Sequence, residues 1–396
     1  MRLLHTSDWH LGRSLHRENL LDAQRVFLDH LVATVRREEV DAVLVAGDVH
    51  DRAVPSLGAV RLFDEVLHEL AELAVPVVLI SGNHDSPRRL GIASGLIARA
   101  GVHLRTDPLR AHEPVLLKDE HGPVAVYGLP YLEPALVREK LGAEQVSHTS
   151  VLGAAMDRVR ADLAGQPEGT RSVVLAHAFV AGGQGSDSER DIAVGGVPSV
   201  PAAVFDGVDY VALGHLHGAQ VLGGGRLRYS GSPLAYSFSE AGQEKGMWLV
   251  DLGATGELTV RQVPVPQPRP LARLRGTLEQ LLTAEEHTWA ESAWVQAQLT
   301  DPGRPLRAME RLRARFPHTL QLLFDPEERS GDGHDSYVDR VRGRDDAEIA
   351  TGFVAHVRGS EAAPREARLL RAALESAARE EHRDGHQEET PEGARA

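Results

Sequence analysis

The sequence predicts an α/β protein built around a parallel sheet with crossover helices. Three short apolar segments, residues 2–7, 41–46 and 76–80, alternate with longer segments whose apolar residues recur at helical spacing. Short apolar runs of this kind are typical of buried strands, and their alternation with helices indicates β–α–β units. Each strand is followed by polar residues, most clearly at 82–85, where Gly-Asn-His-Asp follows the third strand. Because ligands bind beyond the carboxyl ends of parallel strands, these polar ends are the candidate functional site.

The composition limits the kind of site that can form. The 396-residue chain has no cysteine, 20 histidines and a formal net charge of −14. Disulfides, zinc–thiolate sites and cysteine nucleophiles are therefore excluded, and any metal must be held by His, Asp, Glu or Asn. The chain also lacks an uninterrupted apolar run of about 18 residues and a signal-peptide pattern, so we expect a cytoplasmic protein without membrane contact.

The length and a proline-rich linker predict several domains. Four prolines fall within residues 264–270, which is typical of a semi-rigid connection. We predict a first domain over 1–265 and a small α+β domain over 270–326. Amphipathic patterns predict two C-terminal helices within 345–382, and the polar residues 383–396 are predicted to be a disordered tail.

Five strand ends carry residue types that bind divalent metal ions. In an extended segment, residues two apart point the same way, so Asp8 with His10 and His215 with His217 can each share a side. Oxygen and imidazole ligands without sulfur suit hard to borderline cations, and two such ions can activate water for attack on a phosphodiester. Only a carboxylate readily bridges two ions, and Asp48 is the central candidate. One histidine is then left to protonate the leaving group. The motifs are D-x-H at 8–10, G-D-x-x-D at 47–51, G-N-H-D at 82–85, a single histidine at 177 and G-H-x-H at 214–217.

These motifs resemble the calcineurin-like metallophosphoesterase family, and most closely its SbcD-type nucleases. The narrower likeness is carried by T-S-D-W-H-L-G at 6–12, A-H-A-F-V at 176–180, S-D-S-E-R at 186–190, Y-V-A-L-G-H-L-H at 210–217 and Y-S-G-S-P at 229–233. It covers about residues 1–265. The resemblance implies a β-sandwich flanked by helices, with the small α+β unit as a capping domain.

The resemblance also implies a ligand set and a role for each site residue. One metal would be bound by Asp8, His10, Asp48 and His217, and the second by Asp48, Asn83, His177 and His215. His84 would be the general acid, and the ions would be Mn²⁺. The implied activity is that of a double-strand exonuclease and single-strand endonuclease in DNA repair and recombination. The implied partner is an SbcC-like ATPase, which the C-terminal helices would contact in a heterotetramer or larger complex with two copies of this subunit.

Asp51 and Asp85 are less clearly assigned. Related phosphoprotein phosphatases carry an aspartate that is paired with the catalytic histidine, so we predict that Asp51 orients His84 and favours its protonated form. The alternative is that Asp51 caps the following turn. Asp85 is expected to hold the loop backbone rather than a metal. We expect His5 to be buried and hydrogen-bonded, and Trp9 to serve packing rather than base stacking.

Three functions compete at this stage. A DNA nuclease subunit is favoured by the additional domain and terminal helices, which an enzyme acting on small phosphodiesters does not need. A non-enzymatic scaffold is disfavoured by the complete ligand set. Because the chain is acidic, we expect a partner to supply much of the grip on DNA.

Overall fold

The computed structural model describes residues 1–189, 199–326, 344–358 and 360–384. The chain divides into two compact units. The first comprises residues 1–273 and 292–294, and the second comprises the described parts of 274–291 and 295–396. Arg190 of the S-D-S-E-R motif lies outside the described residues, as does most of the predicted C-terminal tail.

The first unit contains fourteen strands and six α-helices among its described residues. The strands are β1 Arg2–Thr6, β2 Ser14–Leu15, β3 Glu18–Asn19, β4 Ala42–Ala46, β5 Val77–Ile80, β6 Val102–Arg105, β7 Val115–Asp119, β8 Gly122–Leu129, β9 Arg171–His177, β10 Tyr210–Gly214, β11 Gln220–Leu222, β12 Leu227–Tyr229, β13 Gly246–Leu252 and β14 Leu258–Pro264. The helices are α1 Leu21–Arg37, α2 Leu57–Glu72, α3 Pro87–Leu90, α4 Ser94–Ile97, α5 Pro134–Leu141 and α6 His148–Gly165.

Twelve of these strands form two six-stranded sheets that pack as a sandwich, which confirms the predicted fold class, and β2 and β3 form a small separate sheet. One sheet has the order β14–β13–β1–β4–β5–β6, and its strands β1, β4, β5 and β6 are parallel. The other has the order β11–β12–β10–β9–β8–β7, with β8, β9, β10 and β12 parallel. The predicted β–α–β–α–β arrangement is thus present as β1, α1, β4, α2 and β5.

Alternation along the strands produces the three layers of the core. In β4, Ala42 and Leu44 belong to the cluster between the sheets, whereas Val43 and Val45 belong to the cluster that includes Phe27 of α1. Successive side chains of a strand point to opposite faces, so a strand covered on both sides must be apolar throughout. This explains why the central strands appear in the sequence as continuous apolar runs.

A buried ion-pair cluster joins the two sheets at the end opposite to the polar strand ends. The guanidinium of Arg171, which is 2% exposed, donates to Asp119 with an Nη1–Oδ2 distance of 3.0 Å. The amino group of Met1 lies 2.8 Å from the same carboxylate. The hydrogen bond from Arg171 holds the pKa of Asp119 well below its usual range, despite partial burial.

Replacing Asp119 with asparagine is expected to lower the free energy of unfolding at neutral pH by about 3 kcal/mol, because Arg171 would become an uncompensated buried charge. Since the pKa of Asp119 is depressed in the folded state, its stabilising contribution is present above the unfolded carboxyl pKa of about 3.9 and is lost as the pH falls below it. Measured by urea unfolding, the difference in the free energy of unfolding between the wild type and the variant should therefore become smaller in acid. A difference that stays constant from pH 7 to the acid range would contradict this account.

The second unit contains a three-stranded sheet with the predicted element order. The strands β15 Leu271–Gly276, β16 Trp294–Leu299 and β17 Thr319–Phe324 alternate with the helices α7 Leu278–Thr283 and α8 Ala308–Arg315, and the sheet order is β15–β16–β17. A capping box starts α7: the Thr277 hydroxyl accepts from the backbone N–H of Gln280, whose side chain accepts in return from the N–H of Thr277.

Two helices follow near the C-terminus, at Asp346–Arg358 and Pro364–Asp384. The predicted tail is wrong at its start, because the second helix continues through residues 383 and 384; residues 385–396 lie outside the described residues. In the described part of the chain, no helix combines the length and apolar character needed to cross a membrane.

Candidate metal centre

The carboxyl ends of β1, β4, β5, β9 and β10 meet at one edge of the sandwich and bring the predicted site residues together. Asp8 and His10 follow β1, Asp48 follows β4, and His84 follows β5. His177 is the last residue of β9, and His217 follows β10. Ligand atoms of these residues form three overlapping groups, each within 4.8 Å: Asp8–His10–His217, His10–Asp48–His84 and Asp8–Asp48–His177.

Asp48 lies at the middle of the cluster. Its Oδ2 is 3.5 Å from Nε2 of His177, 3.6 Å from Nε2 of His10 and 4.0 Å from Nε2 of His84. These distances are too long for good hydrogen bonds. The separations from His177 and His10 are close to the distance of about 3.0–3.5 Å expected between two atoms that each lie about 2.1 Å from one cation, whereas His84 is farther away.

Two close contacts bring together atoms that can coordinate a cation. His177 donates its Nδ1–H to the carbonyl of Ala46 at 2.9 Å, and its Nε2 lies 2.9 Å from Oδ1 of Asn83. Similarly, Nε2 of His10 and Nε2 of His217 face one another at 3.1 Å. In each pair a cation could replace the bridging proton and be coordinated by both atoms. The residues present therefore fit two divalent cations.

The electrostatics of the buried cluster leave two histidines neutral and make the surroundings of Asp48 attractive to positive charge. Burial lowers the pKa of His10 and lowers that of His215 to about 3, so both imidazoles are neutral, as metal binding would require. Burial would raise the pKa of Asp48, but the surrounding imidazoles, His177 first, outweigh it and hold this carboxyl ionised. Burial likewise opposes protonation of His177, yet the carboxylate of Asp48 raises its pKa to about 9. The His177 position attracts positive charge.

Close approach explains why glycine precedes the predicted ligands in two motifs. A Cβ on Gly82 would lie 2.1 Å from Oδ1 of Asp48, and one on Gly214 would lie 1.9 Å from the carbonyl oxygen of Ala46. Neither position could accept a larger residue without moving a ligand or the backbone beneath it.

Comparison with known families decides the class of this site. A model of the family described as calcineurin-like phosphoesterase matches residues 1–219, more than half of the chain. The chain belongs to the calcineurin-like phosphoesterase family. As a member it is a hydrolase that acts on phosphoester bonds, and its Asp/His cluster is compatible with two metal ions. A second model, SbcD_C, described as the type 5 capsule protein repressor C-terminal domain, matches residues 267–358.

Several solved structures are distantly similar to this calcineurin-like phosphoesterase. Protein TT1561 of Thermus thermophilus is 14% identical, over 66% of this chain and 98% of its own, with a TM-score of 0.38. A dimetal phosphatase from Danio rerio is 15% identical, over 67% and 97%, with a TM-score of 0.39. GAP50 of Plasmodium, an anchor in the inner membrane complex, is 10% identical, over 84% and 99%, with a TM-score of 0.38. The family assignment rests on the match over residues 1–219.

The loops that carry the ligands are not the extended segments that the two-residue spacing suggested. Asp8, His10 and Asp48 have positive φ angles of 52°, 45° and 49°. Non-glycine residues in this region cost about 1–3 kcal/mol each and persist only where the surroundings enforce them. The two loops hold each other in this conformation. The backbone N–H of Asp8 donates to the carbonyl of Gly47, and that of His10 donates to the carbonyl of Asp48, both at 3.0 Å.

His215 is placed differently from His217. His217 joins Asp8 and His10, whereas the ring of His215 lies edge-on to His177 with 5.4 Å between centroids. The backbone N–H of His215 donates to both carboxylate oxygens of Asp8, at 3.0 and 3.1 Å. The G-H-x-H motif thus places its two histidines toward different parts of the cluster, and the ligand role of His215 stays a prediction.

The prediction that the carboxylate of Asp51 pairs with His84 is wrong. The Nδ1–H of His84 donates instead to the backbone carbonyl of Asp51, at 2.8 Å. The Asp51 carboxylate lies 3.8 Å from Nδ1 of His10 and 3.6 Å from Arg13. The chain turns at this point, so the carbonyl faces His84 while the side chain faces the loop after β1. Asp51 orients His84 through its main chain.

The predictions for the residues beside the ligands are confirmed. The carboxylate of Asp85 accepts from the backbone N–H groups of Val49, His50 and Gly82 at 3.1, 2.9 and 2.9 Å, and so holds the loops together. His5 is fully buried, with Nδ1 2.9 Å from the hydroxyl of Tyr210. Trp9 is also fully buried and packs edge-to-face on Phe27.

Two residues that support the His10 loop were missed by the sequence analysis. The amide of Gln24, on α1, donates to the carbonyl of His10 at 2.8 Å and accepts from Gly12 N–H at 2.9 Å. The hydroxyl of Tyr236 donates to the carbonyl of Trp9, and its ring lies edge-on to His10, 5.5 Å between centroids. A single glutamine on an apolar helix face was the available signal for Gln24; nothing in the sequence pointed to Tyr236.

A third missed group surrounds His217. Ser188, Glu240 and Lys245 form a buried chain of hydrogen bonds behind its ring. Burial opposes ionisation of Glu240, but the hydrogen bond with His217 and the ammonium of Lys245 outweigh it and hold the pKa of this carboxyl well below its usual range. The sequence signal was Lys245 itself, since it is one of only three lysines in the chain.

Proposed function

We propose that this protein is the nuclease subunit of an SbcCD-type complex and hydrolyses DNA phosphodiester bonds with two divalent cations, for which Mn²⁺ is the proposed ion. The observation that carries the proposal is the combination of a calcineurin-like phosphoesterase match over residues 1–219 with an SbcD_C match over 267–358 in one chain. We propose residues 1–265 as the nuclease domain and 270–326 as the capping domain. Because such a complex acts on chromosomal DNA, we also propose a cytoplasmic location.

The proposed ligands divide into two sets that share Asp48. Asp8, His10 and His217 would hold one cation with Asp48, and Asn83, His177 and His215 would hold the other. When bound, the cations supply an activated water nucleophile and stabilise the charge that develops on the phosphoryl oxygens. Burial excludes bulk water from this cluster and so strengthens its electrostatic interactions.

His84 is the proposed proton donor to the leaving oxygen. Its Nδ1–H is fixed on the carbonyl of Asp51, so its Nε2 is the atom that carries the transferable proton. The side chain remains 9% exposed, which leaves an approach from the substrate side. A positioned acid of this kind contributes about 10²- to 10⁴-fold to a hydrolysis rate.

The C-terminal helices are the proposed contact with the ATPase. In the helix Asp346–Arg358 no described residue is buried, and Phe353 and Val357 are 54% and 68% exposed. Leu369, on the following helix, is 63% exposed. Large apolar side chains on consecutive exposed helices favour a protein partner. A partner that binds DNA would also compensate for the net charge of −14, since an acidic chain alone binds the phosphates of DNA weakly.

The test is Mn²⁺-dependent degradation of linear duplex DNA by the full-length protein, with and without its ATPase partner. We expect nuclease activity that requires the added metal and increases with the partner and ATP. Bis-p-nitrophenyl phosphate serves as the small phosphodiester for comparison. Hydrolysis of that diester without any cleavage of DNA, even with the partner present, would favour the small-molecule phosphodiesterase and overturn the proposal. Hydrolysis of neither substrate would favour a scaffold and overturn it as well.

A further inference from the structure

We propose that Glu240 is a positioning residue for the metal ligand His217 and acts on it through the hydroxyl of Ser188. The inference rests on the metal centre proposed above and assigns a function to residues that contact no substrate. It concerns the orientation and tautomer of a single imidazole, and hence the affinity of one of the two cation sites.

The hydrogen bonds behind His217 fix the direction of each proton. The Oγ of Ser188 lies 2.5 Å from Oε1 of Glu240 and 2.6 Å from Nδ1 of His217. A carboxylate can only accept, so the serine hydroxyl donates to Glu240 and must accept from His217. His217 therefore carries its hydrogen on Nδ1, and the lone pair on Nε2 faces His10 at 3.1 Å, where the cation is proposed.

Lys245 holds the carboxylate in place. Its ammonium donates to Oε2 of Glu240 at 2.5 Å, to the carbonyl of His217 at 2.9 Å and to Oγ of Ser232 at 3.0 Å. The side chains of Glu240 and Lys245 are 0% and 2% exposed. The ion pair thus contacts His217 twice: Glu240 reaches its ring through Ser188, and Lys245 donates to its main-chain carbonyl.

The loop that carries Ser188 also contacts the main chain of His217. The carboxylate of Glu189 accepts from the backbone N–H of His217 at 2.8 Å, and the carbonyl of Ser188 accepts from Arg13 at 2.7 Å. The S-D-S-E segment therefore contacts both the ring and the main chain of His217, and Arg13 fixes the segment itself.

A structural role alone is a poor explanation for this arrangement. A buried ion pair is expensive to desolvate, and well-packed apolar residues of similar size are often equally or more stabilising. Carboxylates that hydrogen-bond a metal-ligating histidine orient its ring and increase its basicity, and their loss typically lowers metal affinity about 10- to 100-fold. Glu240 is connected to such a histidine, His217, through the hydroxyl of Ser188.

The experiment is calorimetric titration of the full-length protein with Mn²⁺, which reports each site without any catalysis. We expect Ser188→Ala and Glu240→Gln to weaken one of the two ions about 10- to 100-fold and the other much less. Glu244→Gln, an exposed carboxylate four residues beyond Glu240, is the matched control and should bind both ions as the wild type does. Circular dichroism shows that each variant is folded.

A double variant separates positioning from folding. Glu240→Leu with Lys245→Met removes the ion pair as a whole and leaves no unpaired buried charge. If Glu240 positions His217, the double variant folds but still binds one ion weakly. If the double variant and Ser188→Ala both bind two ions with wild-type affinity, the inference is overturned while the proposed metal centre stands. If the wild type itself binds no Mn²⁺, the metal centre fails and the inference fails with it.

Discussion

Replacement of Asp48 by asparagine is expected to reduce phosphodiester hydrolysis by at least about 10³-fold, because stabilisation of the transition state by paired cations is worth several kcal/mol. The carboxylate lies within 4.0 Å of three imidazole nitrogens and carries the charge that would balance two cations. An amide of the same shape lacks that charge and has one oxygen instead of two. The measurement is the initial rate of Mn²⁺-dependent hydrolysis together with the number of ions bound per chain.

The control for this substitution is Asp64→Asn. Its side chain is 71% exposed on α2, so the variant should keep the wild-type rate and the wild-type metal content. An Asp48→Asn protein that still bound two ions and retained a tenth of the wild-type rate would show that another residue joins the two sites.

Replacement of His84 by glutamine is expected to lower the rate of DNA hydrolysis about 10²- to 10⁴-fold while two ions remain bound. The physical reason is loss of the proton donated to the leaving oxygen. A p-nitrophenolate leaving group needs far less protonation than a sugar oxygen. The same variant should therefore lose much less activity on bis-p-nitrophenyl phosphate than on DNA.

This comparison also distinguishes the two positions that His84 could occupy. The residue shares a potential ligand group with His10 and Asp48, so a ligand role is the competing explanation. A ligand's removal would lower both activities equally and reduce the metal content. Equal losses on both substrates would therefore contradict the proton-donor role. His68→Gln, whose side chain is 74% exposed, is the matched control.

The sequence located most of the site because its residues follow buried strands directly. Strand β4 is apolar throughout and ends at a glycine, so the position of Asp48 could be inferred from the pattern alone. The parallel arrangement then brings Asp48, His84 and His177 to one edge without any knowledge of side-chain packing. Local pattern and sheet topology are sufficient for residues of this kind.

The same reasoning fails where orientation depends on backbone strain. Asp8 and His10 do join one group, but through left-handed φ angles rather than through extended geometry. Asp51 was predicted to act by its carboxylate, and its carbonyl takes that position. Spacing shows which residues come together, whereas the loop conformation decides which atom of each residue faces the site.

The contacts of the supporting residues could not be predicted from the sequence because they join distant segments. Tyr236 contacts the carbonyl of Trp9 across 227 positions of the chain, and Ser188 reaches Glu240 across 52. Tyr236 lies in no motif, and although Ser188 belongs to the S-D-S-E-R motif, no spacing connects it with Glu240 or His217. Their roles depend on the packing of loops, which no periodicity records.

The most direct test of the account is the position of Mn²⁺ in crystals of the wild-type protein, located by anomalous diffraction. The account predicts two peaks, about 4 Å apart, on either side of the Asp48 carboxylate. One peak would lie toward His10 and His217, and the other toward Asn83 and His177. A single peak, or peaks that do not contact Asp48, would contradict the central claim that this cluster is a two-metal centre.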